Sequence, residues 1–371
     1  MKPRVERELE RYRVRMAQRG ERLRAWERGN SGGPFQVSFH PTNACNLRCS
    51  ICWQRRGVVD QRELPRNRQE SLVDEAADLK AREFVLGGGG EPLMRQALLR
   101  SLMSRVKERS LYGLLFTNGT LLSEDFAAFS AHIAWDKILV SLDGIEEIND
   151  IVRQSGSYNR VTKGLRTLVA VRGDAQYPLL GVGCVLTRQS VPTLPFLLRI
   201  IAEAGCDQFN LIRLVVNTPD QQSFEIRRED FDLVGRSLKE CLTIADGSGM
   251  VTNIRDYLNT EVIEQIGQFD NVLLKQYTGA AASLGFWDAL CFDPFLNLVI
   301  QPSGQCGPCC MSGDAPIASI ESETMADVWF GPDFQRVRAG ILRREPEPYC
   351  RLCDVNVYAQ NEKLRKEGVA V

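Results

Sequence analysis

Six short β-prone runs, separated by helix-prone stretches, constrain this chain more than any other feature. The runs cover residues 36–40, 83–87, 113–117, 137–141, 180–186 and 208–212, and helices are expected over 71–80, 96–107, 123–132, 158–172 and 193–204. A strand that returns through a helix re-enters its sheet in the same direction, so the pattern predicts βαβ units and a parallel α/β sheet. Sheets of this kind gather their ligands at the C-terminal strand ends.

The unusual residues fall at those ends. Cys45, Cys49 and Cys52 follow the first run with C-x3-C-x2-C spacing, and residues 87–92 read Gly-Gly-Gly-Gly-Glu-Pro after the second. Thr-Asn-Gly at 117–119 and Ser-Leu-Asp-Gly at 141–144 follow the third and fourth. Three thiolates from one loop can hold three irons of a [4Fe–4S] cube and leave the fourth iron open, whereas clusters that only carry electrons usually take four cysteines. Structural zinc normally closes its shell with four ligands. Of the two histidines, His40 and His132, only His40 is near enough in sequence to complete such a shell, and that alternative stays open. The glycines permit close backbone approach to a ligand, and Glu91 beside them offers a carboxylate to an ammonium group. A ligand bearing an amine and a carboxylate would chelate the open iron while its ammonium meets this loop.

A length of 371 residues suits one large domain with an appendage. A net charge of −1 lacks the basic excess of a nucleic-acid binder. No apolar run reaches the roughly 18–20 residues that span a bilayer, and the Arg/Glu-rich start has no apolar signal segment. A cytoplasmic protein is expected, and its 12 cysteines then point to metal or redox use instead of disulfides. Residues 1–34 read as a charged helix with a Gly/Pro-rich stop, resting on the domain edge through Leu9, Tyr12, Met16 and Leu23 with its charges in solvent. Beyond the sixth run, 230–245 reads as helix, 251–256 as extended, 260–276 as an amphipathic helix and 278–285 as a loop. The expected division is therefore 1–34, 35–280 and 281–371.

Six cysteines crowd the last part: Cys291, Cys306, Cys309, Cys310, Cys350 and Cys353. Four of them could close one site, with short helices at 324–329 and 333–338 between ligand pairs; zinc on Cys350 and Cys353 with Cys309 or Cys310 is the alternative. Cys184, Cys206 and Cys241 stand alone and are expected as small buried hydrophobes, the alternative being that Cys184, Cys206 or a spare tail thiol donates hydrogen to a substrate radical. Tyr158, Asp207, Asn210 and Arg213 lie near strand ends without a pattern that assigns proton transfer to any of them.

The four strand-end motifs together resemble the radical S-adenosylmethionine (SAM) superfamily over residues 35–215. The resemblance implies a partial (β/α)6 barrel of the TIM type with Cys45, Cys49 and Cys52 on the cluster. It implies that Gly89, Gly90 and Glu91 face the methionine amine, that Ser141 and Asp143 meet its ribose or methionine part, and that Arg153 stands near its carboxylate. The family usually has an aromatic before the third cysteine; here Ile51 holds that place and Trp53 follows. It further implies reductive cleavage of SAM to a 5′-deoxyadenosyl radical, with an electron from a flavodoxin or ferredoxin and with the protein supplying position and exclusion of water. The tail resembles the shortened SPASM, or twitch, extension. That implies one auxiliary [4Fe–4S] cluster on Cys291, Cys309, Cys350 and Cys353, hence two clusters in all; Cys309 is preferred to Cys310 because it keeps the Gly-x4-Cys spacing from Gly304.

This combination is similar to the butirosin-type aminocyclitol dehydrogenases and their sugar- and nucleoside-modifying relatives. It implies a small polar substrate, an alcohol oxidation or related radical change, and a role in natural-product biosynthesis. A maturase or epimerase of a ribosomally made peptide is the alternative. About 30 residues before the barrel are too few for a separate peptide-binding core. A non-catalytic zinc protein is the third reading.

Overall fold

The computed structural model describes residues 2–56, 59–258, 291–352, 360–361 and 363–365. All six expected strands form: β1 (Gln36–Phe39), β2 (Glu83–Leu86), β3 (Tyr112–Thr117), β4 (Lys137–Ser141), β5 (Leu179–Leu186) and β6 (Gln208–Arg213). A two-residue β7 (Val251–Thr252) follows, and all seven pair in parallel in chain order. The connections carry α2 (Arg66–Asp78), α3 (Gln96–Glu108), α4 (Glu124–His132), α5 (Glu146–Val152), α6 (Ser157–Arg172), α7 (Leu194–Glu203) and α8 (Phe231–Ser248). This is the parallel α/β sheet that the alternation predicts, in the mixed α/β class that the resemblance implies. Two details differ. A short helix, α5, interrupts the segment after β4, and the extended stretch expected over 251–256 turns helical at Ile254–Tyr257.

The helix and loop expected over 260–285, and the boundary near 280, lie outside the described residues. From Cys291 the chain re-enters the same sheet. β8 (Asn297–Ile300) pairs in parallel with β1, from Gln36↔Asn297 to Phe39↔Ile300, and the antiparallel β9 (Gln305–Gly307) and β10 (Ala318–Ser319) extend that edge. Helices at Met325–Phe330 and Pro332–Leu342 then form where the sequence places them.

Alternation along each strand separates two faces. Val37, Phe39, Phe84, Leu86, Leu115, Ile138, Val140, Leu180 and Val182 face the helices and form the main core. The other face carries Gln36 and Ser38, whose side chains share a 3.0 Å hydrogen bond, and Gln208 and Asn210, which share one of 2.7 Å. Gly183 leaves room on that face, where a methyl would meet only Ile212, at 3.3 Å, whereas a methyl at Gly181 would stand 2.4 Å from Leu139 Cδ2.

The N-terminal helix α1 (Pro3–Glu27) corrects its expectation. Met16 and Leu23 are buried, but Tyr12 is exposed, and although Glu6, Arg7, Glu10, Arg13 and Glu21 face solvent, the stripe Glu8, Arg11, Arg15 and Arg19 turns to the sheet. Arg11 pairs with Asp136 at 2.6 Å, Arg15 with Glu8 at 2.8 Å and Glu83 at 2.9 Å, and Arg19 with Glu83 at 2.5 Å. Lys2 and Arg4 reach Asp207, which also pairs with Arg172. The strand residues contacted lie at or before the first positions of β2, β4 and β6, so α1 lies across the end of the sheet opposite the cysteine loop. Asp207, one of the four polar residues noted near strand ends, is thus a structural anchor.

Candidate active site

The cysteine loop is tied to four neighbouring strand ends. Gly90 donates its N–H to Thr42 O and Glu91 to Ala44 O, both at 2.8 Å, which lays the glycine run along the start of the loop. A side chain is impossible there: a methyl at Gly90 would stand 2.1 Å from Ala44 O, and one at Gly89 2.8 Å from Thr42 O. The close approach that glycine permits is therefore first to the loop's own backbone. Beyond β3, Asn118 Nδ2 donates to Asn46 Oδ1 at 2.9 Å and lies 3.9 Å from Cys45 Sγ, while Asn46 donates to Thr120 Oγ1 at 2.8 Å. Beyond β4, Ser50 N–H donates to Val152 O at 2.7 Å. Beyond β6, the buried Gln221 donates to Ser50 O at 2.9 Å and Cys52 O at 3.1 Å.

This harness leaves Cys45 exposed and Cys49 and Cys52 part-buried. Burial pushes the Cys49 thiol up to about 11; Arg153 acts against that shift, and Asp143, Cys52 and Cys45 add to it. The three thiols are thus close enough to feel one another. Among the described residues, no three His, Cys, Asp or Glu side chains converge closely enough to chelate a single ion. His40, the residue that could complete a zinc shell, packs under the glycines: a methyl at Gly88 would lie 2.4 Å from its Nε2. Burial lowers its pKa to about 4, so the ring is neutral. Ile51 joins an apolar cluster with Val152, Val185, Leu214 and Phe224, and Trp53 donates to Gly88 O at 2.9 Å.

Glu91 is buried and fully engaged. Its carboxylate accepts from Leu93 N–H at 3.0 Å, Thr117 Oγ1 at 2.7 Å and Asn118 N–H at 2.6 Å. Burial raises its pKa against the pull of those donors. Asp143 is likewise enclosed: Oδ1 accepts from Val185 N–H at 2.7 Å, and Oδ2 pairs with Arg153 at 2.6 Å. Burial disfavours the Arg153 charge, but Asp143 and then Cys49 outweigh it and raise its pKa. Ser141 ends β4 on the open face, paired with Gly183 and half-buried. Glu91 and Asp143 therefore brace the glycine run and Arg153 from behind, while Ser141 lies on the open face.

In the tail, burial and then Asp293 push the Cys291 thiol up, with a further contribution from Cys350. Cys309 and Cys350 both act on the buried Tyr349 hydroxyl, and the turn Cys310–Asp314 packs on Pro348–Leu352. Cys291, Cys309 and Cys350 thus share one neighbourhood, and Cys353 lies outside the described residues. Cys310 is exposed, and Cys306 faces the core from β9. Cys184, Cys206 and Cys241 are buried in that core, as expected of hydrophobes.

The model of the radical SAM superfamily matches residues 39–188, and that of the SPASM iron–sulfur cluster-binding domain matches 291–354. The chain carries a radical SAM domain followed by a SPASM domain. It is therefore an enzyme, with SAM and iron–sulfur clusters as its cofactors. It is 26% identical over 338 residues to pre-heme d1 synthase of Dinoroseobacter shibae, covering 85% of this chain and 78% of that one. It is 28% identical to Fe-coproporphyrin III synthase of Methanosarcina barkeri and 30% identical to mycofactocin maturase MftC of Mycolicibacterium smegmatis, each over 181 residues. These two alignments cover 48% of this chain and 44% of each relative, less than half of either. Among solved structures, SuiB of Streptococcus suis bound to SAM superposes with a TM-score of 0.62 at 15% identity, over 83% of this chain and 68% of that one. The anSMEcpe structure with bound AdoMet gives 0.61 at 17% identity, over 90% and 96%. Both have the same fold. Among the described residues no helix is long and apolar enough to cross a membrane.

Proposed function

We propose that this radical SAM enzyme removes hydrogen from a small polar metabolite, an aminocyclitol, sugar or nucleoside, and oxidises an alcohol carbon to a carbonyl in natural-product biosynthesis. The observation that carries this reading is the set of polar side chains on the inner face, where Ser141 and Asn210 flank the open Gly183 and Gln36, Ser38 and Gln208 share the same face. Polar hydroxyl and amide groups at a few fixed points orient a small hydroxylated ligand.

Cys45, Cys49 and Cys52 would hold the SAM-ligating [4Fe–4S] cluster, with Gly89 and Gly90 offering backbone carbonyls to the methionine amine and Ser141 meeting the ribose. Glu91, Asp143 and Arg153 hold that frame in place. When bound, the cluster and SAM supply the hydrogen-abstracting radical, with one electron arriving from a flavodoxin- or ferredoxin-type donor. Cys291, Cys309, Cys350 and Cys353 would hold an auxiliary iron–sulfur cluster, which would supply an electron acceptor beside the substrate. Residues 35–280 and 281–371 would be the two functional units, joined through the β1–β8 pairing.

Anaerobic metal analysis and product assay test this. About eight irons and eight sulfides per chain are expected for two cubes, with 5′-deoxyadenosine formed in response to substrate. Stoichiometric zinc without iron defeats the reading. A peptide is the second reading, since one relative is named a mycofactocin maturase. Tetrapyrroles belong in the same screen because two relatives are named for making them.

A further inference from the structure

The sheet register places Lys137 in one layer of the inner face with Ser38, Val85, Leu114 and Val299. The layer below holds Gln36, Glu83, Tyr112 and Asn297, where α1 brings Glu8, Arg15 and Arg19. In that lower layer each carboxylate already has cationic or hydroxyl partners, and one oxygen alone, Glu8 Oε2, makes no hydrogen bond and lies 3.9 Å from Arg11. Arg15 takes Glu8 and Glu83, Arg19 takes Glu83, Tyr112 donates to Glu8 at 2.7 Å, and Arg11 and Lys107 take Asp136. Lys137 is the exception. Among the described residues no hydrogen bond or ion pair reaches its ammonium, which feels Glu8 and Glu83 only at longer range and is opposed by Arg15. Protein surrounds it, yet it keeps accessible surface, as a residue on the wall of an enclosed space does. A part-buried ammonium without a protein partner gives up hydration that no ion pair replaces. Such a group calls for an explanation beyond packing.

We infer that Lys137 binds an anionic oxygen group of the substrate, a carboxylate or a phosphate, at the bottom of the barrel's inner face. This rests on the substrate site proposed above and narrows it. Ser141, near the cofactor end, lies four residues further along the same strand. At ~3.3 Å per residue the two ends are about 13 Å apart. The substrate is therefore a polar metabolite whose anionic group is held at the floor while its reacting C–H lies toward the cysteine loop. Burial lowers the Lys137 pKa to about 8, which leaves room for a bound anion to restore the full charge.

Two measurements on the reconstituted holoenzyme with SAM test the inference. Acetylation by acetic anhydride is mapped by mass spectrometry with and without inorganic phosphate, at ionic strength matched with chloride. Lys137 is expected to be labelled, and phosphate to reduce its labelling several-fold while that of exposed Lys239 stays constant. Absence of Lys137 labelling, or equal labelling with phosphate, overturns the inference. In the second measurement, Lys137→Met is expected to raise KM for an anionic substrate roughly 10–100-fold, the range for a hydrogen bond to a charged group, and Lys137→Arg to recover part of it. An unchanged KM, or equal turnover of the neutral counterpart, overturns it. If Lys137→Met does not fold, the labelling measurement decides. Failure of the proposed function looks different: 5′-deoxyadenosine then forms in response to a peptide or a tetrapyrrole and not to any small polar metabolite, whatever the Lys137 labelling shows.

Discussion

Gln221 donates one side-chain amide to two carbonyls of the cysteine loop, Ser50 O at 2.9 Å and Cys52 O at 3.1 Å. It has no accessible surface, so removing the amide leaves both carbonyls without that donor in a buried place. Gln221→Leu is expected to cost about 1–3 kcal/mol, expressed locally as a looser loop. Reconstituted protein should retain less iron at the front site while the tail keeps its own. Full iron occupancy, with an unchanged electron-spin signal of the SAM-bound cluster, would show that the loop holds its shape without this tie.

Asp143 and Arg153 form a pair with 0% and 11% side-chain exposure. Breaking a buried pair from one side costs more than removing both partners. Arg153→Leu should lose about 3–5 kcal/mol of stability, and Asp143→Leu with Arg153→Leu less than either single change predicts. Denaturant titrations of the two single variants and the double variant measure this. Additive losses would mean that the pair contributes no coupling.

The strands were legible because apolar alternation has a period of two, and their ends showed the motifs because ligand-bearing residues depart from that period. Other parts of the site had no such signal. Gln221 lies in a short 3₁₀ helix, Pro219–Phe224, after β6, and nothing in the residues around it marks a bond to a loop more than 160 positions earlier. Glu8, Arg11, Arg15 and Arg19 share one face of α1, a spacing that reads as a solvated stripe. Only the fold reveals that the open end of a barrel lies beneath it. Asp207 stands before β6 and drew notice as a polar group near a strand end, but its end is the wrong one, where Arg172, Arg4 and Lys2 surround it.

The tail cysteines separate by environment. Cys350 stands with Cys291 and beside Tyr349, Cys310 is exposed, and Cys306 packs in the core. Cys350→Ala is expected to lower iron from about eight to about four per chain and to stop product formation while uncoupled SAM cleavage continues. Cys310→Ala should leave the iron content alone. Cys306→Ser should also leave it alone but destabilise the fold by about 1–3 kcal/mol through a buried hydroxyl. Loss of tail iron in Cys310→Ala, with Cys309→Ala fully loaded, would exchange the assignments of those two residues.

His40 sets a pH dependence whose sign follows from its burial. In the unfolded chain its imidazole takes a proton near 6.5, but in the fold only near 4. Between those values the unfolded state binds more protons, so stability falls as pH drops from 6.5 to 4 and is fully present above 6.5. The difference corresponds to roughly 3 kcal/mol at most. His40→Gln cannot titrate, so its thermal midpoint should lose less between pH 6.5 and 4 than that of the parent protein, even if it starts lower because the ring that packs under Gly88 is gone. Parallel pH profiles for the two proteins would mean that the His40 ring is hydrated and protonates without opening the glycine run.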